Sequence, residues 1–172
     1  LDWSDTIRAE MKDLPFDESG FLHETGSPEL WGEAGFTTLE RLWTRPTCEV
    51  NGLLSGWTGE GAKTVLPAKA MAKVSCRLVP DQTPEEIERL MKAHVARVAP
   101  KGVTVQVEHL HGGKPWRGEL SGPFFEASRR ALAAAFGRDP VVTGSGGSIP
   151  VVGDFERILG APVLLLGFGL PG

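Results

Sequence analysis

The sequence predicts an α+β protein in which an antiparallel sheet with helices on one face is followed by an α/β segment. Residues 68–78 alternate between small apolar and polar side chains, which is the period of a half-buried strand. Residues 83–98 start with helix-capping signals and continue with apolar side chains at helical spacing. Residues 122–168 then alternate helix, strand, glycine-rich loop, helix and strand, which is an α/β order.

The residues before the first strand predict only short helices. Trp3, Ile7 and Met11 have the spacing of one helical face, and residues 17–23 predict a helical turn that ends at Gly26. The stretch that follows is expected to be ordered, but its periodicity does not decide between helix and strand.

A first strand is predicted over residues 47–57, with a turn or bulge at Asn51-Gly52. A glycine-rich connection over residues 56–61 leads into the long strand, whose polar face carries Arg77 near its end. The planar guanidinium of an arginine matches a carboxylate with two parallel hydrogen bonds. Arg77 is therefore a candidate carboxylate ligand, and the alternative is an arginine on a solvated sheet face.

The next helix has a well-marked start. Thr83 is the expected cap, Pro84 suits the first helical position, and Glu86 is placed to complete a capping box. One apolar stripe follows, and it contains Ile87, Leu90, Met91, His94, Val95 and Val98. Because His94 lies on that stripe, we interpret it as a packing residue. Alternating valines then predict a strand over residues 103–108.

Two histidines at the end of that strand could share a metal ion. His109 and His111 are two residues apart, so they lie on one face of an extended chain. No third ligand is evident nearby, and zinc sites normally use three or four. The sequence therefore does not favour a local metal site.

A glycine-rich loop at residues 144–148 precedes the last predicted helix, over residues 149–159. Strands are predicted on either side, at residues 140–143 and 163–168. The loop places backbone N–H groups and the Ser148 hydroxyl at the start of a helix, where anions bind. The alternative is a tight turn that only needs glycine geometry.

A serine hydrolase is not favoured, although Ser145 lies among small residues as at a nucleophile elbow. That arrangement needs an acid and then a histidine later in the chain. Asp154 and Glu156 follow, but no histidine occurs after His111.

The composition narrows the classes of partner. The 172 residues are 41% hydrophobic and carry a net charge of −4 without a basic run, which argues against nucleic acid or an anionic membrane as partner. The longest apolar run is too short to span a bilayer, and no signal peptide is evident. Cys48 and Cys76 are isolated in sequence, which predicts buried, inert thiols in a reducing compartment, the cytoplasm.

Four stretches together resemble a known enzyme family. They read GAKTVLPAKAMAKVSCRLVPDQTPEEI from Gly61, HGGKPW from His111, GGSIPVV from Gly146 and LLLGFGL from Leu164. In this order and spacing, over about residues 40–170, the chain resembles the second half of the dinuclear zinc metallopeptidases. The branch is that of carnosinase and cytosolic non-specific dipeptidase, which is related to glutamate carboxypeptidase and aminoacylase.

The resemblance implies an organisation into three parts. Residues 1–45 would be a linker or peripheral part of a lid, residues 46–116 the ferredoxin-like lid that forms a homodimer, and residues 117–172 part of the catalytic domain. Both ends then look cut, so the lid sheet is expected to be incomplete and the chain to be a piece of a larger enzyme.

The resemblance also implies an activity for the full-length protein, which is hydrolysis of peptide or amide bonds in small substrates with a free carboxylate. The full-length enzyme would use two zinc ions. No catalytic or metal-binding residue is expected in this piece, and the piece alone is expected to be inactive. Arg77, Gly147 and Ser148 would hold the substrate carboxylate. Thr64 would reach the neighbouring subunit's site, and His111 would line the pocket.

The chain departs from the family where an Arg-Glu pair often precedes the two glycines, since Gly144-Ser145 stands there. This difference leaves the side-chain specificity open. The alternative function is a non-catalytic, ferredoxin-like dimerisation or ligand-binding module.

Overall fold

A computed structural model of the chain describes residues 11, 12, 14, 16–145, 147 and 149–167. Its regular elements, in order, are helices α1 (Glu18–Thr25) and α2 (Thr38–Thr44), strands β1 (Thr47–Ser55) and β2 (Ala70–Arg77), and helices α3 (Pro84–Val98), α4 (Pro123–Phe136) and α5 (Pro150–Leu159). The predicted α+β class is confirmed. The helix predicted around Trp3 and Ile7 lies outside the described residues.

The two strands form an antiparallel ribbon with one irregularity. Thr47 lies opposite Arg77 at one end of the ribbon, and Ser55 lies opposite Ala70 at the other. The register shifts between Val50 and Gly52, so the residue between them has no partner. This shift confirms the bulge predicted at Asn51-Gly52, where an extra residue increases the local twist.

The apolar side chains of the ribbon are largely uncovered. Leu53 is 78% exposed, Val50 66%, and Val74 on the opposite strand 46%. A two-stranded sheet is marginal in water unless a further strand or helix packs on it. The ribbon therefore presents apolar surface of the kind that other protein surfaces cover.

Helix α2 forms where the periodicity left the class open. Thr37 and Glu40 form a full capping box: the Thr37 hydroxyl accepts from the Glu40 amide at 3.3 Å, and the Glu40 carboxylate accepts from the Thr37 amide at 2.7 Å. The Thr37-x-x-Glu40 spacing that marks this start was present in the sequence. Leu39 and Thr44 are buried and belong to the small core of the described residues.

Helix α3 begins as predicted, but the side chains of Glu86 and His94 do not make the predicted contacts. The Thr83 hydroxyl accepts from the Glu86 amide at 3.3 Å, and Pro84 is the first helical residue. The Glu86 carboxylate binds Arg89 at 2.6 Å instead of returning to the Thr83 backbone. His94 is exposed, with its Nδ1 3.0 Å from the Arg97 guanidinium, so the packing role predicted for it is wrong.

Three predicted strands are not formed in the described part of the chain. Residues 103–108, 140–143 and 163–167 contain no regular strand. Within the described ranges β1 and β2 pair only with each other. Alternation or an apolar run makes a segment suitable for a strand, but the strand itself needs a hydrogen-bonded neighbour.

Among the helices of the described ranges, none combines the length and apolar content that crossing a bilayer requires.

Candidate substrate-binding site

The glycines after His111 lie against the first residues of two helices. A Cβ atom on Gly112 would come within 2.8 Å of the Pro84 Cβ at the start of α3. A Cβ atom on Gly113 would come within 3.2 Å of the Pro150 Cβ at the start of α5. The segment is therefore held between the amino-terminal ends of α3 and α5, the positive ends of their dipoles. We call this arrangement the two-helix junction.

Trp116 fixes the same segment to α5. Its indole Nε1 donates to Glu156 Oε2 at 2.8 Å in a partly buried hydrogen bond. The indole edge lies beside Gly153, where a Cβ atom would be 3.8 Å from Trp116 Cδ1. The segment from His111 to Trp116 thus contacts both the start and the middle of α5.

The glycine-rich loop before α5 rests on α2. A Cβ atom on Gly144 would come within 2.6 Å of the Trp43 Cβ, so the close approach requires glycine. The Gly147 amide, a predicted carboxylate contact, donates to the Ser145 hydroxyl at 3.1 Å. Such a local bond from serine to a backbone amide is common in turns. The other predicted contact in this loop, Ser148, lies outside the described residues.

Arg77 is the last residue of β2, and the residue is exposed. A bonded turn follows, in which Gln82 N donates to Val79 O and Val79 N donates to Gln82 Oε1, both at 3.1 Å. Asp81 in this turn has φ of 74°, a left-handed conformation that is uncommon for residues other than glycine. The turn leads directly to Pro84, so the Arg77 end of the sheet is joined to the two-helix junction by six residues.

Thr64 lies in the connection between β1 and β2, next to a cation–π contact. The Lys63 ammonium is 4.2 Å from the centroid of the Trp57 ring, and Trp57 Nε1 donates to Glu60 O at 3.3 Å. These contacts hold Glu60 and Lys63 beside the Trp57 indole, just before Thr64 in the chain. Thr64 is exposed.

The two histidines at the junction have different surroundings. Both are exposed, but His109 Nδ1 lies 2.9 Å from Glu88 Oε2 on α3. Hydrogen bonding to Lys92 lowers the pKa of the Glu88 carboxyl, and the charge of His109 adds to the effect. The contact between Glu88 and His109 spans 21 positions and has no local sequence signal, so sequence reasoning missed it.

Within the described residues, no group of three or more His, Cys, Asp or Glu side chains is placed to hold a metal ion. His109 and His111 are accordingly not joined by a third ligand there. An anion is favoured at the start of α5, whose first turn carries no acidic residue. The first turn of α3 carries Glu85 and Glu86, whose charges oppose an anion there.

Comparison with known proteins gives matches along most of the chain. The family model described as peptidase dimerisation domain matches residues 6–103. The chain is 36% identical to the Cys-Gly metallodipeptidase dug1 of Schizosaccharomyces pombe over 135 residues, which cover 77% of the chain and 28% of that protein. It is 32% identical to the Beta-Ala-His dipeptidase of Rattus norvegicus over 134 residues, which cover 76% of the chain and 27% of that protein.

A solved structure has the same fold over nearly the whole chain. It is an M20 family metallo-carboxypeptidase, Sso-CP2 from Sulfolobus solfataricus, which superimposes with a TM-score of 0.79 at 29% identity. The superposition covers 93% of this chain and 41% of that one. The chain thus spans less than half the length of the three relatives named here. The family inferred from the four sequence stretches is confirmed, and the chain belongs to the M20 peptidase dimerisation domain family.

Proposed function

We propose that this chain is the part of a dipeptidase that forms the dimer and holds the free carboxylate of a small peptide, while hydrolysis itself depends on metal ions bound elsewhere in the whole protein. The observation that supports the proposal is the two-helix junction, where the segment of His111 meets the start of α5. The two relatives named above are, by their names, dipeptidases, and every unmodified dipeptide carries a free carboxylate.

In this proposal the start of α5 is the anion site. Pro150 at the first helical position has no N–H, and the Val152 amide already donates to Ile149 O, so the proposed donors are the amides before the helix. The Gly147 amide would exchange its bond to Ser145 for one to the substrate carboxylate, together with the Ser148 hydroxyl. The charge of the ligand would also gain from the helix dipole.

Arg77 and His111 would complete the grip on the substrate. Arg77, an exposed residue at the end of β2, would supply a bidentate, charge-assisted pair, and His111 would donate a further hydrogen bond. Thr64 would act on the site of the neighbouring subunit across the dimer. Holding the carboxylate at several points orients the scissile bond, which contributes to catalysis by positioning.

We propose that the metal-dependent step uses ligands elsewhere in the whole protein. Relatives described as metallodipeptidases imply a metal cofactor, and we propose two zinc ions. When bound, such ions supply an activated water. The residues of this chain would bind and orient the substrate.

The exposed ribbon supports a homodimer that forms through the lid. Apolar side chains such as Leu53 and unpaired strand edges are covered in stable proteins, and a second copy is one way to cover them. We propose residues 46–116 as the lid, residues 1–45 as its peripheral part, residues 117–172 as part of the catalytic domain, and the cytoplasm as the location. Light scattering of the intact protein should give twice the monomer mass, and a monomer at high concentration would contradict this.

The proposed activity is tested on the intact, metal-loaded protein with a dipeptide and its C-terminal amide. Because the amide lacks the charge that the site would bind, we expect kcat/KM to fall at least about thirtyfold. Equal kcat/KM values for the two substrates would overturn the carboxylate site but not the peptidase assignment. No hydrolysis of any dipeptide would instead favour the non-catalytic module.

A further inference from the structure

The register of the ribbon brings the two cysteines of the chain together. Cys48 on β1 lies directly opposite Cys76 on β2. Cys48 is exposed and Cys76 is partly exposed, so the prediction that both thiols are buried is wrong. The pairing was not visible in the sequence because the two residues are 28 positions apart and either could have faced another neighbour.

The geometry of this pair suits a covalent link. Residues directly opposite in an antiparallel ladder have Cα atoms about 4.5 or 5.5 Å apart. Both values fall within the roughly 4.4–6.8 Å that disulfides span. Burial raises the pKa of the Cys76 thiol, and a hydrogen bond with Cys48 raises it further. The two side chains therefore already interact.

We propose that Cys48 and Cys76 form a reversible redox-modification site, which a low-molecular-weight disulfide such as glutathione disulfide converts to a cross-strand disulfide. In the first step the Cys48 thiolate attacks one sulfur of the small disulfide, and one thiolate leaves. In the second step the Cys76 thiolate attacks Cys48 Sγ and displaces the other. The two protein thiols lose two electrons and two protons, and the small disulfide becomes two thiols.

The roles of the two cysteines follow from their exposure. Cys48 is the more accessible, so it meets the small disulfide first. Cys76 is partly shielded and holds its proton more firmly, so it reacts within the protein after the mixed disulfide has formed. The link would tie the two strands next to Arg77 and close the long connection that contains Thr64. This inference does not depend on the proposed function.

To test this, the intact protein is equilibrated in glutathione redox buffers and quenched with acid. It is then alkylated and digested with trypsin without reduction. Trypsin should release Cys48 in residues 42–63 and Cys76 in residues 74–77, because cleavage is blocked before Pro46. We expect these two peptides to be linked and two hydrogens lighter than their sum. The equilibrium constant for forming the Cys48–Cys76 disulfide should be at least about tenfold larger in the folded protein than in urea. This ratio corresponds to a difference in reduction potential of about 30 mV.

Two variants separate the roles. Cys76→Ser should accumulate the mixed disulfide with glutathione on Cys48, since nothing resolves it. Cys48→Ser should be modified at Cys76 at least about tenfold more slowly, because that thiol is shielded. Equal linkage in the folded protein and in urea would overturn the proposal, and equal modification rates in the two variants would overturn the assigned order.

Discussion

Trp116 and Glu156 are joined by a partly buried hydrogen bond of 2.8 Å, although 40 positions separate them in the chain. The bond fixes the HGGKPW segment on α5, the helix whose start is the candidate anion site. Two stretches that are distant in sequence therefore form one local structure.

Breaking this bond should destabilise the protein. Trp116→Phe keeps an aromatic ring but leaves the Glu156 carboxylate without its donor, so we expect the free energy of unfolding of the intact protein to fall by about 1–2 kcal/mol. Urea unfolding measures it. Asp154→Asn is the matched control on the same helix, because it removes only an exposed pair with Arg157 and should cost less than about 0.5 kcal/mol. Equal losses in the two variants would contradict the role of Trp116.

The proposed role of Arg77 predicts an effect on substrate binding. In the intact enzyme Arg77→Ala should raise KM for a dipeptide by about 10- to 100-fold, because a charge-assisted bidentate pair is lost. Arg77→Lys should recover only part of it, since an ammonium lacks the planar fork. Steady-state kinetics at constant metal content measure both values.

Lys73→Ala, which removes a cation from the same strand, is the control for Arg77 and should leave KM nearly unchanged. An unchanged KM in Arg77→Ala would remove Arg77 from the site.

Glu88 should contribute stability that depends on pH. Its pKa lies below the ordinary value of 4.5, first because of hydrogen bonding to Lys92 and further because of His109. A carboxyl whose pKa is lower in the folded than in the unfolded protein stabilises the fold at pH values above the unfolded-state pKa. This stabilisation is lost as the pH falls through the folded-state pKa. The wild-type protein should therefore be more stable than Glu88→Gln at pH 6, and the difference should disappear in acid.

Urea unfolding between pH 7 and about pH 3 follows this difference, which added salt should reduce because the charges are near the surface. Glu85→Gln, at the start of the same helix, is the control. A difference between wild type and Glu88→Gln that stays constant across this range would show that the Glu88 charge is not involved.

The connection that carries Thr64 should loosen when its cation–π contact is removed. Lys63→Met keeps the aliphatic chain but loses the charge 4.2 Å from the Trp57 ring. An exposed contact of this type is worth about 0.5–1 kcal/mol, so amide hydrogen exchange over residues 58–63 should accelerate by about two- to fivefold. Mass spectrometry of the exchanging protein measures this rate. Lys69→Met, in the same connection, should leave the rate unchanged, and equal acceleration in both variants would contradict the contact.

Signals carried by neighbouring residues were sufficient for much of the fold. The bulge at Asn51-Gly52, the start of α3 at Thr83-Pro84 and the alternation of β2 were all predicted correctly. Helix α2 could have been found as well, because the capping box of Thr37 and Glu40 is a spacing of three residues. Such signals are local because turns, caps and side-chain periodicity depend on residues a few positions apart.

The sequence by itself thus determined the α+β class, most element boundaries and, through four separated stretches, the family. Only the tertiary structure decided that Gly112 must pass beside Pro84, that Trp116 binds Glu156, and that Cys48 faces Cys76. It also decided that residues 103–108 pair with no strand in the described part of the chain. The physical reason is the same in each case: a contact between residues far apart depends on which surfaces meet, and pairing and register are properties of two segments together.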